Sequence, residues 1–119
     1  MNKDTLNFIG LMNRAGALIT GTDLVLGGVR SGKVKMVLID GSTSDNTFKK
    51  ITDKCKFYNV SYIKASAGIE LGLAIGNSSR KVIGVTDPNF VKALKRKLTE
   101  TQSFSQEKLD EVKVELDKE

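Results

Sequence analysis

The segment Gly27-Gly28-Val29-Arg30-Ser31-Gly32-Lys33 has the glycines and the lysine of a phosphate-cradling loop. Such a loop must leave a strand and enter a helix, so that its N–H groups and the helix start face the phosphates. Here the apolar spacing puts a helix before the segment and a strand after it. Val34 also stands where a magnesium-binding hydroxyl belongs. A glycine helix stop followed by a basic turn explains the segment better. Asp40-Gly41-Ser42-Thr43-Ser44-Asp45 offers some oxygen ligands of a calcium loop but lacks the closing glutamate; a strand-to-helix turn with a cap accounts for it. Cys55 is the single cysteine and there is no histidine. That removes a disulfide, cysteine-pair metal sites, the Ser-His and Cys-His nucleophile pairs and the commonest general base. No catalytic residue, metal or cofactor is therefore assigned, and the chain reads as a non-enzyme.

Two other segments carry binding chemistry. Thr20-Gly21-Thr22-Asp23 is a turn ahead of a helix. Glycine permits close backbone approach, and a helix start offers unpaired N–H groups and a positive dipole end to a phosphate or base edge. Gly76-Asn77-Ser78-Ser79-Arg80-Lys81 is a loop of small polar residues ending in two cations. Hydroxyls and cations of this kind contact phosphate and sugar. Either segment alone is equally an ordinary turn.

The elements that position these segments follow from periodicity. Leu6, Phe8, Ile9, Leu11 and Met12 predict a helix over about 3–14, closed by Gly16. Ala17 to Ile19 is a short strand. A second helix starts with Thr20 or Thr22 as N-cap, carries Asp23 in its first turn, and stops at Gly32. Lys35 to Asp40 is a buried strand. Ser44-Asp45-Asn46 caps a third helix with Phe48, Ile51, Cys55 and Tyr58 on its apolar face. Val60 to Ala65 is a strand, and Ser66 starts a short helix with Ile69, Leu73 and Ala74. Lys81 to Thr86 is the fourth strand. Asp87-Pro88 opens a fifth helix with Phe90, Val91, Leu94 and Leu98 buried. Alternating helices and strands imply an α/β domain with helices on both faces of one sheet. The domain is expected over 1–98. Residues 99–119 form an acidic tail, which could be a mobile amphipathic helix through Leu109, Val112 and Leu116 or a disordered segment.

Net charge is +5, yet the tail carries −4 and residues 1–98 carry +9. A polyanion partner and a merely lysine-rich surface both fit that balance. Neither a signal peptide nor an apolar run near the ~20 residues that span a bilayer is present. With a lone cysteine this predicts a cytoplasmic protein without a membrane partner.

Several motifs together resemble the ribosomal L-seven-Ae family, most closely its bacterial YlxQ-like branch. They are Asn13-Arg14-Ala15-Gly16, Gly21-Thr22-Asp23-Leu24-Val25, Asn46-Thr47, Lys49 to Cys55, Leu71 to Gly76, and Val85-Thr86-Asp87 with Phe90. The resemblance covers about 5–98. It implies a three-layer α/β/α sandwich with a four-stranded mixed sheet, and binding to kink-turn RNA, ribosomal RNA included. It also implies that the start of the second helix enters the opened major groove, through Gly21, Thr22, Asp23, Leu24 and Gly27. The loop after the fourth helix would cover the bulged nucleotide, through Ile75, Gly76, Asn77, Ser78, Ser79 and Arg80, with Lys81 beside it. An ordinary A-form major groove is too narrow for such entry, so recognition would depend on the bend. Four features depart from the family pattern. Asp23 and Leu24 replace an Asn-Glu pair, Gly27 replaces a guanine-reading lysine, and Gly41 and Ser42 replace an acidic pair. The loop after the fourth helix is also more polar than in typical binders. Arg30, Lys33 and Arg80 are the candidates to supply the missing charge.

Two functions compete. One is a non-catalytic, ribosome-associated or accessory binder of structured RNA, monomeric by default. The other is a protein-interaction module of the translation or transcription machinery, with a decayed RNA surface.

Overall fold

The run Met36–Ile39 is buried at every position, on both faces at once, so this strand (β2) must be covered by helices on each side. The computed structural model describes residues 3–65, 71–77 and 79–100, with side chains to Leu98. In chain order the elements are α1 (Lys3–Arg14), β1 (Leu18–Thr20), α2 (Thr22–Ser31), β2 (Met36–Ile39), α3 (Asp45–Tyr58), β3 (Ser61–Lys64), α4 (Leu71–Ala74), β4 (Val82–Val85) and α5 (Pro88–Glu100). The sheet order is β1-β4-β2-β3. β4 runs antiparallel to both β1 and β2, whereas β2 and β3 are parallel. The sheet is mixed, as expected.

Alternation along the strands separates two cores. Met36, Leu38, Ile63, Ile83 and Val85 point to one side and pack with Ile9 and Met12 of α1, Leu71 of α4, and Val91, Leu94 and Leu98 of α5. Val37, Ile39, Tyr62 and Val82 point to the other and pack with Val25 and Val29 of α2 and Ile51 and Cys55 of α3. The result is a three-layer α/β/α sandwich. Cys55 is wholly buried, which makes it a packing residue.

Three details differ from expectation. The N-cap of α2 is neither Thr20 nor Thr22 but Gly21, at φ 98° and ψ 140°, with no side-chain cap. Gly21 N–H instead donates to Val82 O, which extends the β1–β4 ladder by one residue and makes the helix start where the ladder ends. Tyr58 is 37% exposed, because α3 ends there and the chain turns through Asn59 in the left-handed region. α5 continues to Glu100, two residues into the segment expected as tail. The Ser66 cap, Ile69 and the tail from residue 101 lie outside the described residues. Among the described residues no helix is long and apolar enough to cross a membrane.

Two adjacent glycines show how tightly α2 lies on the sheet. A Cβ on Gly28 would come within 2.5 Å of Val34 Cγ2, and one on Gly84 of β4 within 2.8 Å of the same atom. Val34 therefore fills a slot that only glycine on both sides leaves open. A Cβ on Gly27 would meet open space. Gly28→Ala is expected to destabilise the fold by about 1–3 kcal/mol through overpacking. Gly27→Ala is expected to stabilise it by up to about 1 kcal/mol, through helix propensity alone. Urea unfolding of the two variants checks this, and equal midpoints would contradict the packing described.

Candidate nucleic-acid interface

Strand register sorts the loops into two ends. Thr20 pairs with Ile83, and Ile39 pairs with both Val82 and Lys64. The turn before α2, the Asp40–Ser44 turn before α3 and the Arg80-Lys81 approach to β4 therefore meet at one end of the sheet. Between them lies a cleft of about 370 Å³, lined by Gly21, Thr22, Ser42, Thr43, Ser44, Thr47, Ser79, Arg80, Lys81 and Val82. Hydroxyls and two cations dominate the lining, and among the described residues no carboxylate is part of it.

Asp40 builds the floor of this cleft from behind. It is 4% exposed and ends β2, with its N–H donating to Lys81 O at 2.7 Å. Oδ1 accepts from Ser42 N–H at 2.9 Å and Ser42 Oγ–H at 2.7 Å, and Oδ2 accepts from Leu71 N–H at 2.9 Å. Burial alone pushes the carboxyl upward. The two Ser42 bonds, the Leu71 bond and the nearby Lys81 charge outweigh burial and hold it below its ordinary value. Both oxygens are thus engaged inside the protein, which is why this segment is a turn and not a calcium loop. Ser44 then caps α3, accepting from Thr47 N–H at 3.3 Å. The buried Thr43 hydroxyl at the cleft has no hydrogen-bond partner among the described residues.

The two segments singled out by sequence come together here. The first-turn N–H groups of α2 receive no side-chain cap, so they and the helix dipole are free to meet an acceptor. The Arg80 guanidinium lies directly over Gly21, where a Cβ would come within 2.8 Å of Nη1. No described residue pairs with it. The loop before Arg80 is held by its own bonds: Asn77 N–H donates to Gly72 O, Ser79 N–H and Oγ–H to Asn77 Oδ1, and Arg80 N–H to Asn77 O. Gly76 sits at φ 73° and reverses the chain after α4. Asp23 and Leu24 stand exposed on the first turn of α2, Leu24 by 67%. Gly27 lies one turn on, with room beside it. Ile75 is partly buried against the core and serves mainly to anchor the loop. Ser78 is outside the described residues.

Arg30 and Lys33 do not join this group. Arg30 is in the last turn of α2, about 12 Å along the helix from Thr22 at 1.5 Å per residue. Lys33 follows Gly32, close to where Lys35 N–H donates to Val85 O at the far end of β4. Neither lines the cleft, although Arg30 lies three residues after Gly27 and so stands beside it, one turn on along α2. Conversely, Thr43 and Ser44, which read in the sequence only as a turn and cap, line the cleft together with Ser42 and Thr47. Their hydroxyl density between a strand and a helix start was the available signal.

Asp40→Asn keeps the shape but turns one acceptor into a donor facing an N–H or O–H donor, at an expected loss of about 1–3 kcal/mol. Because the folded-state value is depressed, the carboxylate's contribution is present above the unfolded value of 3.8 and is lost as pH falls through the folded one. The stability gap between wild type and Asp40→Asn should therefore narrow below about pH 4. A gap independent of pH in denaturant titrations would contradict this account of Asp40.

The model of the ribosomal protein L7Ae/L30e/S12e/Gadd45 family matches residues 4–95. The chain is 43% identical over 86 residues to the RNA-binding protein YlxQ of Bacillus subtilis (strain 168), covering 72% of this chain and 86% of that one. It is 40% identical over 90 residues to the RNA-binding protein YlxQ of Enterococcus faecium, covering 76% and 86%. Among solved structures, a protein of unknown function from Bacillus halodurans C superposes with a TM-score of 0.77 at 34% identity, over 83% of this chain and all of that one. A Giardia lamblia 15.5 kD RNA-binding protein shares the fold, with a TM-score of 0.66 at 21% identity over 83% and 91%. With a family model spanning the sandwich from α1 into α5 and bacterial relatives at 40% identity or above, the chain belongs to the ribosomal protein L7Ae/L30e/S12e/Gadd45 family.

Proposed function

We propose that this protein binds structured RNA through the cleft at the α2 start, and that the RNA it prefers is sharply bent. The observation that carries this reading is the convergence, at one end of the sheet, of an uncapped helix start, a hydroxyl-lined cleft and a guanidinium that pairs with no described residue. The helix start and the guanidinium offer donors to phosphate or base edges, the hydroxyls between them make the wall polar, and no carboxylate lines the cleft among the described residues. The names of the bacterial relatives support an RNA ligand. A helix end presses into RNA only where the deep, narrow groove has been opened, which favours a kinked element over a straight duplex. In this reading the protein acts without catalysis, as a ribosome-associated or accessory factor, and Arg80 supplies the cation at the cleft.

The exposed Leu24 and the open space at Gly27 favour a second reading, a protein-interaction module whose RNA surface has decayed. Gel shifts with a kinked RNA and a straight duplex of equal length, at two salt concentrations, decide between them. Binding selective for the kinked RNA and weakening steeply with salt is expected. Equal, weak binding to both RNAs would sink the kink-selective reading and favour a protein partner.

Arg80→Ala should weaken RNA binding and lower the salt slope by about 1, as one lost phosphate contact requires. Arg30→Ala should weaken binding to a blunt kinked stem less than Arg80→Ala does, because Arg30 does not line the cleft. The space beside Gly27 accepts a side chain, so Gly27→Lys should fold normally and tighten kinked-RNA binding, by up to the ~1–3 kcal/mol of one good guanine contact. No gain from Gly27→Lys would mean that this helix turn does not face the bases.

A further inference from the structure

α3 leads away from the cleft with a chemically continuous stripe. Thr47 lines the cleft, and Lys50, Lys54 and Phe57 follow at helical spacing on the same side. A shallow surface cleft of about 430 Å³ is formed by Lys50, Asp53, Lys54, Phe57 and Tyr58. Phe57 is 81% exposed, the most exposed large apolar side chain among the described residues. Tyr58 is held against it edge-to-face, with ring centroids 4.9 Å apart. Asp53, the one acid on the stripe, is already paired with Lys49 at 2.8 Å. Neither Lys50 nor Lys54 pairs with an acid among the described residues. Tyr58 also borders a second cleft, of about 520 Å³, that adds Arg30, Lys35 and Lys92. An exposed aromatic pair set among unneutralised cations matches the chemistry of unpaired bases on a phosphate backbone: rings stack the bases and lysines track the phosphates.

We propose that the outer face of α3, from Lys50 to Tyr58, is a second RNA-binding track that takes a single strand leaving the structured element, with Phe57 as the stacking platform. This rests on the RNA-binding reading above and extends it. α3 spans about 21 Å, so the track begins at the cleft and carries the strand along the molecule to the far end. It also gives Arg30, excluded from the cleft, a place beside RNA at that end.

The test uses the full chain and two RNAs: a blunt kinked stem, and the same stem with an unpaired uridine extension of about ten nucleotides on either strand. The extension should tighten wild-type binding about tenfold, within the range for one or two stacked bases. Phe57→Ala should remove that gain and leave the blunt-stem affinity unchanged, because Phe57 is neither in the core nor at the cleft. Lys54→Glu should reduce the gain as well and flatten its salt dependence. The proposal is overturned if neither extension tightens wild-type binding, or if the gain survives Phe57→Ala. It is equally overturned if Phe57→Ala leaves both affinities alone and instead converts a dimer to a monomer in sedimentation, which would assign the rings to a second copy of the chain. If the blunt stem is not bound at all, the cleft reading fails; Phe57-dependent binding of free oligouridylate would then still support the track.

Discussion

A single buried carboxylate holds together the end of the molecule on which the candidate site is built. Asp40 terminates β2, and its backbone N–H ties that strand to the start of β4 through Lys81 O. Its two side-chain oxygens reach in different directions, one to the turn that leads into α3 and the other across 31 residues to the first N–H of α4. An acid at this depth is tolerated only because every direction it faces supplies a donor or a positive charge. Three chain segments that would otherwise be independent loops are thereby fixed relative to one another. The cleft inherits its shape from that arrangement, and the Ser42 hydroxyl on its wall is itself turned inward to the carboxylate.

A second constraint sets where α2 begins. Val34 fits between Gly28 and Gly84 with no room for a Cβ on either, so the helix lies closer to β4 than ordinary side chains allow. Gly21 continues the β1 ladder and starts the helix at the same residue, in a backbone conformation that other residues rarely adopt. The helix start is thus pinned at the sheet end beside Arg80. Its N–H groups have no side-chain cap, where a serine or aspartate would ordinarily supply one. A fold that leaves such donors open at a cleft stays slightly less stable than it could be, and keeps those donors available to a ligand.

The basic charge of the domain is spread with purpose around these constraints. At the cleft it is Arg80 and Lys81; along α3 it is the lysine stripe; at the far end it is Arg30, Lys33, Lys35 and Lys92 beside the C-terminal ends of α2 and α3. Part of that last group answers the negative ends of the helix dipoles, as the bond from Lys35 Nζ to Gly32 O shows. The rest leaves a surface positive at both ends and along one side, which suits a long polyanion better than a small anionic ligand.

The sequence by itself determined the type and order of nearly every described element, because each carries a strong local signal. Apolar runs such as Met36–Ile39 mark strands, Ser44 and Asp87-Pro88 mark helix starts, and Gly32 marks a stop. It also narrowed the chemistry available, since a chain without histidine and with one cysteine can form neither a Ser-His nor a Cys-His nucleophile pair. Only the tertiary structure decided which residues meet. Arg30 and Arg80 look alike in sequence, and Arg30 is the nearer to Gly27; yet Arg80 lies over Gly21 while Arg30 is a helix length away. Asp40 read as part of a turn, and its reach to Leu71 depends on a pairing of strands far apart in sequence. Phe57 carries no signal of its own in the sequence, and its exposure follows from which face of α3 the sheet claims. Local periodicity encodes the direction of a side chain relative to its own element. What that side chain faces depends on contacts across the sheet, and those are set by the packing of the whole chain.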